Sequence, residues 1–357
     1  MTCFHAILCK YSEKNSTNVD LNTYNYFMTL DLRCALLNAE NLFLLLDQTL
    51  PAGFEQLSES EWHRFSTSVY TNKSLTKLNK LKNIFSKIDA DIILLTEVGG
   101  EESLKNFNKY FLNNNYQVAL IEGNSDRSID VGFLIHKRVQ CNFNIVTNKD
   151  KLINFWYPHE RNKPGQLSHK FSRDAAELHL FEKDLNKPFF IFILTHLKSP
   201  LDPEGIDPHG MSRREAELKA LLEVYGKLSG QFPQTPIVIC GDLNGNASRH
   251  DTDREFLDLY KFTDLEDVLE IKSVPISERA TYYPVKGGTL HQGRQIDYVL
   301  LSFKARPLLD KSGTEIFRYE IPNRGQPIGP QNPEEKQNLP SDHYPIIFQL
   351  KNIPILK

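Results

Sequence analysis

The stretch that most constrains this chain runs from Ile237 to Asn246, IVICGDLNGN. Four apolar residues lead into Gly241, and an apolar run of this length reads as a strand buried on both faces. The glycine permits a sharp turn where the strand ends. Beyond it, alternate residues of an extended chain point the same way, so Asp242 and Asn244 can face one site together. The plainer reading is a strand end closed by an Asx turn.

Other buried runs repeat this pattern. Leu30–Leu37 leads to Asn38, followed by Glu40 and Asn41, and DIILLTEV ends at Glu97. FFIFILTHL ends at His196, RQIDYVLLS carries Asp297, and Asp342 and His343 stand before a last strand, YPIIFQLK. Between these runs lie helical segments. From Lys73 to Ile88, the residues Leu75, Leu78, Leu81, Ile84, Phe85 and Ile88 follow helical spacing. SLKNFNKYFL reads as a second helix. Ser212 is placed to cap a third that runs to about Leu228, with Glu215 three residues on. Ser58 and Glu61 have capping-box spacing on a long loop over 47–71. Residues 318–340 are rich in Pro, Gly and Asn and read as a surface loop. Strands alternating with helices are α/β grammar.

At 357 residues, with 40% hydrophobic and 11% aromatic content, the chain can bury a large core. Residues 1–28 are polar and weakly patterned and read as an N-terminal extension, with 29–357 as a single domain whose functional start is near Met28. The net charge of −3 gives no global pull toward nucleic acid or an acidic membrane. The five cysteines, Cys3, Cys9, Cys34, Cys141 and Cys240, have no CxxC spacing, against a disulfide framework or a zinc site. No run is long enough to span a membrane, and the N-terminus has no basic region or cleavage site of a signal peptide. A cytoplasmic location with no obligate protein partner is the default expectation.

The polar residues at the strand ends are of the types that phosphoester hydrolysis needs. Glu97 can hold Mg²⁺, a hard ion that prefers oxygen ligands, with Glu40 as a second ligand. His343, oriented by Asp297, can deprotonate an attacking water. Asp242 and Asn244 can align that water and the phosphate, and His196 can donate to a non-bridging oxygen.

In this order, NAENLF, LLTEV, THL, GDLN, IDYVLLS and SDH resemble the endonuclease/exonuclease/phosphatase superfamily, the deoxyribonuclease-like fold, over about residues 30–350. The resemblance implies a four-layer α/β sandwich of two mostly antiparallel sheets flanked by helices. It implies Mg²⁺ as cofactor, with Mn²⁺ as a substitute. Residue by residue, it implies Asn38 as a phosphate-positioning asparagine, Glu97 as the metal-binding glutamate and Asp242 with Asn244 as the Asp-x-Asn pair. Asp297 and His343 match the Asp–His pair, and Asp342 the aspartate beside it that shares the metal. His196 is similar to a histidine that abasic-site endonucleases lack. Glu40 stands where those enzymes place a metal-binding aspartate, and Arg173 where an arginine often reaches the phosphate.

Two substrate readings and one without catalysis remain open. The segment 149–173 mixes Lys and Arg with Phe155, Trp156 and Tyr157, which suits nucleic acid and favours a nuclease. A phosphatase or phosphodiesterase for a small-molecule or lipid head-group ester is the alternative. A non-catalytic interaction module of the same fold is the third, although every core motif residue is in place.

Overall fold

A computed structural model describes residues 28–355 of the chain, apart from residues 162, 164 and 203. The expectation about the segment before Met28 falls on residues 1–27, outside the described residues. In chain order the strands are β1 (Met28–Leu42), β2 (Ile92–Val98), β3 (Tyr116–Ala119), β4 (Asp130–His136), β5 (Asn142–Val146), β6 (Ala175–Phe181) and β7 (Phe190–His196). They continue with β8 (Ile237–Asp242), β9 (Glu266–Asp267), β10 (Val285–Lys286), β11 (Thr289–Leu290), β12 (Asp297–Leu301), β13 (Leu309–Ile316) and β14 (Ile346–Ile355).

Two six-stranded sheets form, in the orders β13-β14-β1-β2-β4-β3 and β5-β6-β7-β8-β12-β9, with β10–β11 as a separate hairpin. Each sheet has one parallel pair, β1 with β2 and β7 with β8. Both parallel pairs are joined by a long helix, Leu75–Ile88 and Met211–Gln231. A parallel pair needs such a crossover, whereas antiparallel neighbours can be joined directly, as β6 and β7 are over residues 182–189. Alternating helix and strand therefore yields one parallel pair per sheet rather than a parallel sheet.

The period-two alternation of β1 divides the core. Ala35 and Leu37 face helix Leu75–Ile88 and its neighbour Gly100–Phe111, in a cluster with Leu78, Leu81, Phe85 and Phe107. Cys34 and Leu36 face the other sheet, meeting Leu94, Phe192, Val238 and Cys240. Across the second sheet, Ile191, Ile193 and Ile239 pack on Leu218, Leu221 and Leu228 of helix Met211–Gln231. The result is four layers, helix–sheet–sheet–helix. Each fully buried Leu, Ile or Phe contributes roughly 1.5–3 kcal/mol.

Helix Leu75–Ile88 begins where Ser74 Oγ accepts the Lys77 N–H, and ends at Asp89 in left-handed backbone. Its buried face is the predicted six-residue stripe. Helix Met211–Gln231 starts differently from expectation. Ser212 lies inside the first turn, and the cap is the Asp207 carboxylate, which accepts the Ser212 and Arg213 N–H groups at 2.9 and 3.0 Å. Three residues further upstream than the usual cap, Asp207 satisfies two free donors at once. The region 318–340 is irregular, as read, with one short helix Pro333–Gln337 inside it. Among the described residues, no helix is long and apolar enough to cross a membrane.

Candidate active site

Register places the first three site residues side by side. His196 of β7 lies opposite Asp242 of β8, and Asp242 opposite Asp297 of β12. Adjacent strands thus carry His–Asp–Asp at one level of the second sheet. This row needs Gly241 for a reason other than a turn. The strand continues through Asp242, and a Cβ on Gly241 would lie 2.0 Å from the Thr195 carbonyl oxygen of β7. The close approach of the parallel pair is what requires glycine here.

The first sheet contributes from its facing edge. Asn38 does not end β1, which runs on to Leu42 with Glu40 and Asn41 in left-handed backbone. Asn38 Nδ2 donates to Asp242 Oδ2 at 2.9 Å, its Oδ1 accepts the Glu40 N–H at 2.9 Å, and its carbonyl accepts Ser341 Oγ–H at 2.6 Å. Ser341, which the sequence reading passed over, therefore locks the loop carrying Asp342 and His343 onto β1. Glu97, near the end of β2, also has left-handed backbone, and its Oε2 accepts the Asn41 N–H at 3.1 Å.

His343 and Asp297 pair as expected, Nδ1 to Oδ2 at 2.8 Å, both almost wholly buried. Nε2 of His343 lies 3.9 Å from Asp242 Oδ2 and 3.9 Å from Asp342 Oδ1. Burial pushes the His343 imidazole down. The Asp297 charge and hydrogen bond, joined by Asp342 and Asp242, outweigh this and raise it to about 10. Burial and the Asp297 charge push the Asp242 carboxyl well above the usual range. His196 Nε2 is 3.7 Å from Asp242 Oδ2 and its Nδ1 is unpartnered. Burial, reinforced by the cations Arg173, His343 and Arg127, pushes His196 far down, so it is neutral.

Asn244 satisfies both readings of the Asp-x-Asn pair. Its N–H donates to Asp242 Oδ1 at 2.8 Å, an Asx turn, and its Nδ2 donates to the Leu197 carbonyl at 3.1 Å while the residue lines the cavity. That cavity, of about 1510 Å³, has Glu40, Glu97, His196, Asp242, Asp342 and His343 in its walls.

Three expectations change. Glu40, read as a second metal ligand, has its carboxylate bonded by Lys73 and Lys77. Arg173, read as reaching the phosphate, is 5% exposed and absent from the cavity wall, with an unpartnered Nε, while its charge acts on Glu97, Asp242 and His196 from behind. Arg127 stands in the wall instead and donates to Asn41 Oδ1 at 2.7 Å. The segment 149–173 does not line the cavity either. Phe155 is buried in the core, and Tyr157 packs edge-on against Phe155 and His169. Six arginines and lysines do line it, Arg127, Arg214, Arg254, Arg279, Lys286 and Arg294, together with Tyr282 and Tyr283; Arg214 and Arg279 are paired with Glu255 and Glu270. Tyr282 packs its ring on His343, with centroids 4.9 Å apart, beneath Lys336. Burial and the charges of Asp342, Asp242, Glu97 and Glu40 raise its hydroxyl to about 12. A backbone bridge between Tyr282 and His343, far apart in sequence, holds it there.

The donor set suits a hard divalent cation. Glu97 has one oxygen engaged only by a neutral N–H, and Asp342, partly open at the same cavity, has Lys336 Nζ 3.5 Å from Oδ2 and leaves Oδ1 free of lysine. Ligand atoms of Asp242, Asp297 and His343 also lie within 4.8 Å of one another and could hold an ion.

Comparison with known proteins agrees with this architecture. No curated protein matches the chain significantly. The human Nocturnin catalytic domain with bound sulfate anion is similar at 14% identity and a TM-score of 0.54, covering 91% of this chain and 97% of that one. D. rerio TDP2 complexed with single strand DNA product is similar at 14% identity and 0.54, covering 89% and 98%. Truncated Caenorhabditis elegans TDP2 is similar at 14% and 0.50, covering 90% and 97%. At this identity the likeness speaks to the fold. The model of the Endonuclease/Exonuclease/phosphatase family matches residues 68–343, which include Glu97, His196, Asp242, Asp297 and His343, and the chain belongs to that family.

Proposed function

We propose that this protein is a Mg²⁺-dependent phosphodiesterase that cleaves nucleic acid. The observation that carries the hydrolytic reading is the buried row of His196, Asp242 and Asp297, closed by His343 at 2.8 Å from Asp297 and opening into one cavity. In this reading Nε2 of His343 takes a proton from water, the water oxygen bonds to phosphorus, and the bond to the leaving oxygen breaks, the departing alkoxide taking up a proton from solvent. Asp297 orients the imidazole and stabilises its charged form. Asn38 and Asn244 hold Asp242, which aligns the water. Neutral His196 and Arg127 donate to the phosphoryl oxygens, where negative charge grows.

Glu97 and Asp342 would hold the cation, which supplies Lewis-acid polarisation of a phosphoryl oxygen. The carboxylates around His343 keep it protonated while uncompensated. Positive charge beside them favours release of that proton, so ion binding and base activation are linked.

The nuclease reading is supported by Arg127, Arg254, Lys286 and Arg294 with Tyr282 and Tyr283 around one large cavity. TDP2 has been solved with a single-stranded DNA product. The test is Mg²⁺-dependent hydrolysis of single-stranded DNA, RNA and bis-p-nitrophenyl phosphate. Polymer cleavage supports the nuclease, whereas turnover of small esters alone moves the substrate to a small molecule.

A further inference from the structure

We propose that Lys73 and Lys77 stand in for a second metal ion at Glu40, so that, with Asp297 Oδ2 already engaged by His343 Nδ1, the cavity takes one divalent cation, at Glu97. This rests on the metal-dependent reading above and adds its stoichiometry.

Glu40 shares the cavity wall with Glu97 and Asp342. Its Oε1 accepts from Lys77 Nζ at 2.9 Å, and its Oε2 from Lys77 at 2.7 Å and Lys73 at 3.0 Å. Lys73 Nζ also donates to the Glu40 main-chain carbonyl at 2.9 Å. Both carboxylate oxygens are thus committed to ammonium groups. An ion coordinating Glu40 would have to displace them and then sit beside two positive charges. Glu97 differs, since a neutral N–H on one oxygen is the only hydrogen bond to its carboxylate among the described residues.

The lysines are built in rather than draped over the surface. The Lys73 side chain is 4% exposed. Its N–H donates to the Phe43 carbonyl at 2.9 Å, and its carbonyl accepts the buried Trp62 Nε1–H at 3.0 Å. Ser74 then caps helix Leu75–Ile88, which sets Lys77 in the first turn, one turn on from Lys73. A lysine this buried is rare without a partner, and its partner here is Glu40. Two ammoniums against one carboxylate leave a net single positive charge behind Glu40, where a second ion would otherwise supply it, while neither lysine itself lines the cavity. The cluster also positions the site, because the Glu40 N–H bonds Asn38 Oδ1 and Asn38 Nδ2 bonds Asp242.

Mn²⁺ binding followed by electron paramagnetic resonance tests this without turnover. Wild type should bind one Mn²⁺ per chain, lost in Glu97→Gln and kept in Glu40→Gln. The Lys73→Met/Lys77→Met variant should bind two, the second lost when Glu40→Gln is added. Two ions in wild type would overturn the proposal, as would a lysine variant that still binds one. If circular dichroism shows the double variant unfolded, Lys77→Met alone should gain a second, weaker Mn²⁺; no gain overturns it. Wild type that binds no Mn²⁺ would instead remove the metal-dependent reading itself, and this proposal with it.

Discussion

Replacing Asp297 by asparagine keeps the shape beside His343 and removes one charge. His343 is raised from an ordinary 6.5 to about 10, although burial alone would lower it. At about 1.4 kcal/mol per tenfold in proton affinity, that rise corresponds to about 5 kcal/mol. Two unit charges about 3 Å apart attract by roughly 5–6 kcal/mol at an effective dielectric of about 20. The ion pair at 2.8 Å is thus as large as the net rise, with Asp342 and Asp242 helping to offset burial. In Asp297→Asn the His343 imidazole should titrate at or below 6.5, to be read from an NMR titration with the signal assigned by its loss in His343→Ala. Because the folded protein binds this proton more tightly than the unfolded chain, the pair's stabilisation is complete below about 6.5. It is lost as pH rises through about 10. The stability difference between wild type and variant should shrink over that window. An imidazole still titrating above about 9 in the variant would refute the reasoning and assign the proton's retention to Asp342 and Asp242.

Glu97→Gln should abolish Mg²⁺-dependent turnover and leave the thermal transition of the protein near that of wild type. Gly241→Ala should destabilise the fold by roughly 2–4 kcal/mol in chemical denaturation, since its Cβ meets the Thr195 carbonyl at 2.0 Å; an unchanged midpoint would show that β7 and β8 can separate cheaply. Neutralising Arg254, Lys286 and Arg294 should weaken binding of single-stranded DNA and flatten its salt dependence by roughly 0.7 per lost contact. The same change at Lys149, Lys151 and Lys170 should do neither, as these residues lie outside the cavity.

Much of the fold is legible in residue pattern. The stripe from Leu75 to Ile88 and the doubly buried runs 92–98 and 237–242 follow directly from burial on one face or two. The layered sandwich does not, because strands buried on both faces look alike whether their neighbours are parallel or antiparallel; that point came from the ordered motifs. At the site, strand-end residues could be found because each interrupts an apolar run. Arg127 could not, since a charge in the turn NSDRS looks like any solvated turn residue. Tyr282 meets His343 only through tertiary pairing across 61 residues. Glu40 and Arg173 show the converse. Their types suit a metal and a phosphate, but the ion pairs of Glu40 with Lys73 and Lys77 in one case and the burial of Arg173 in the other decide what they touch.

The central claim is that His343 drives metal-dependent phosphodiester hydrolysis. Wild type and His343→Ala, compared side by side with Mg²⁺ on single-stranded DNA, RNA, bis-p-nitrophenyl phosphate and p-nitrophenyl phosphate, test it most directly. Wild type should cleave the polymers, with the rate falling by about 10² or more in the variant and to background on chelation. Equal rates in the two proteins, or turnover that survives chelation, would contradict it.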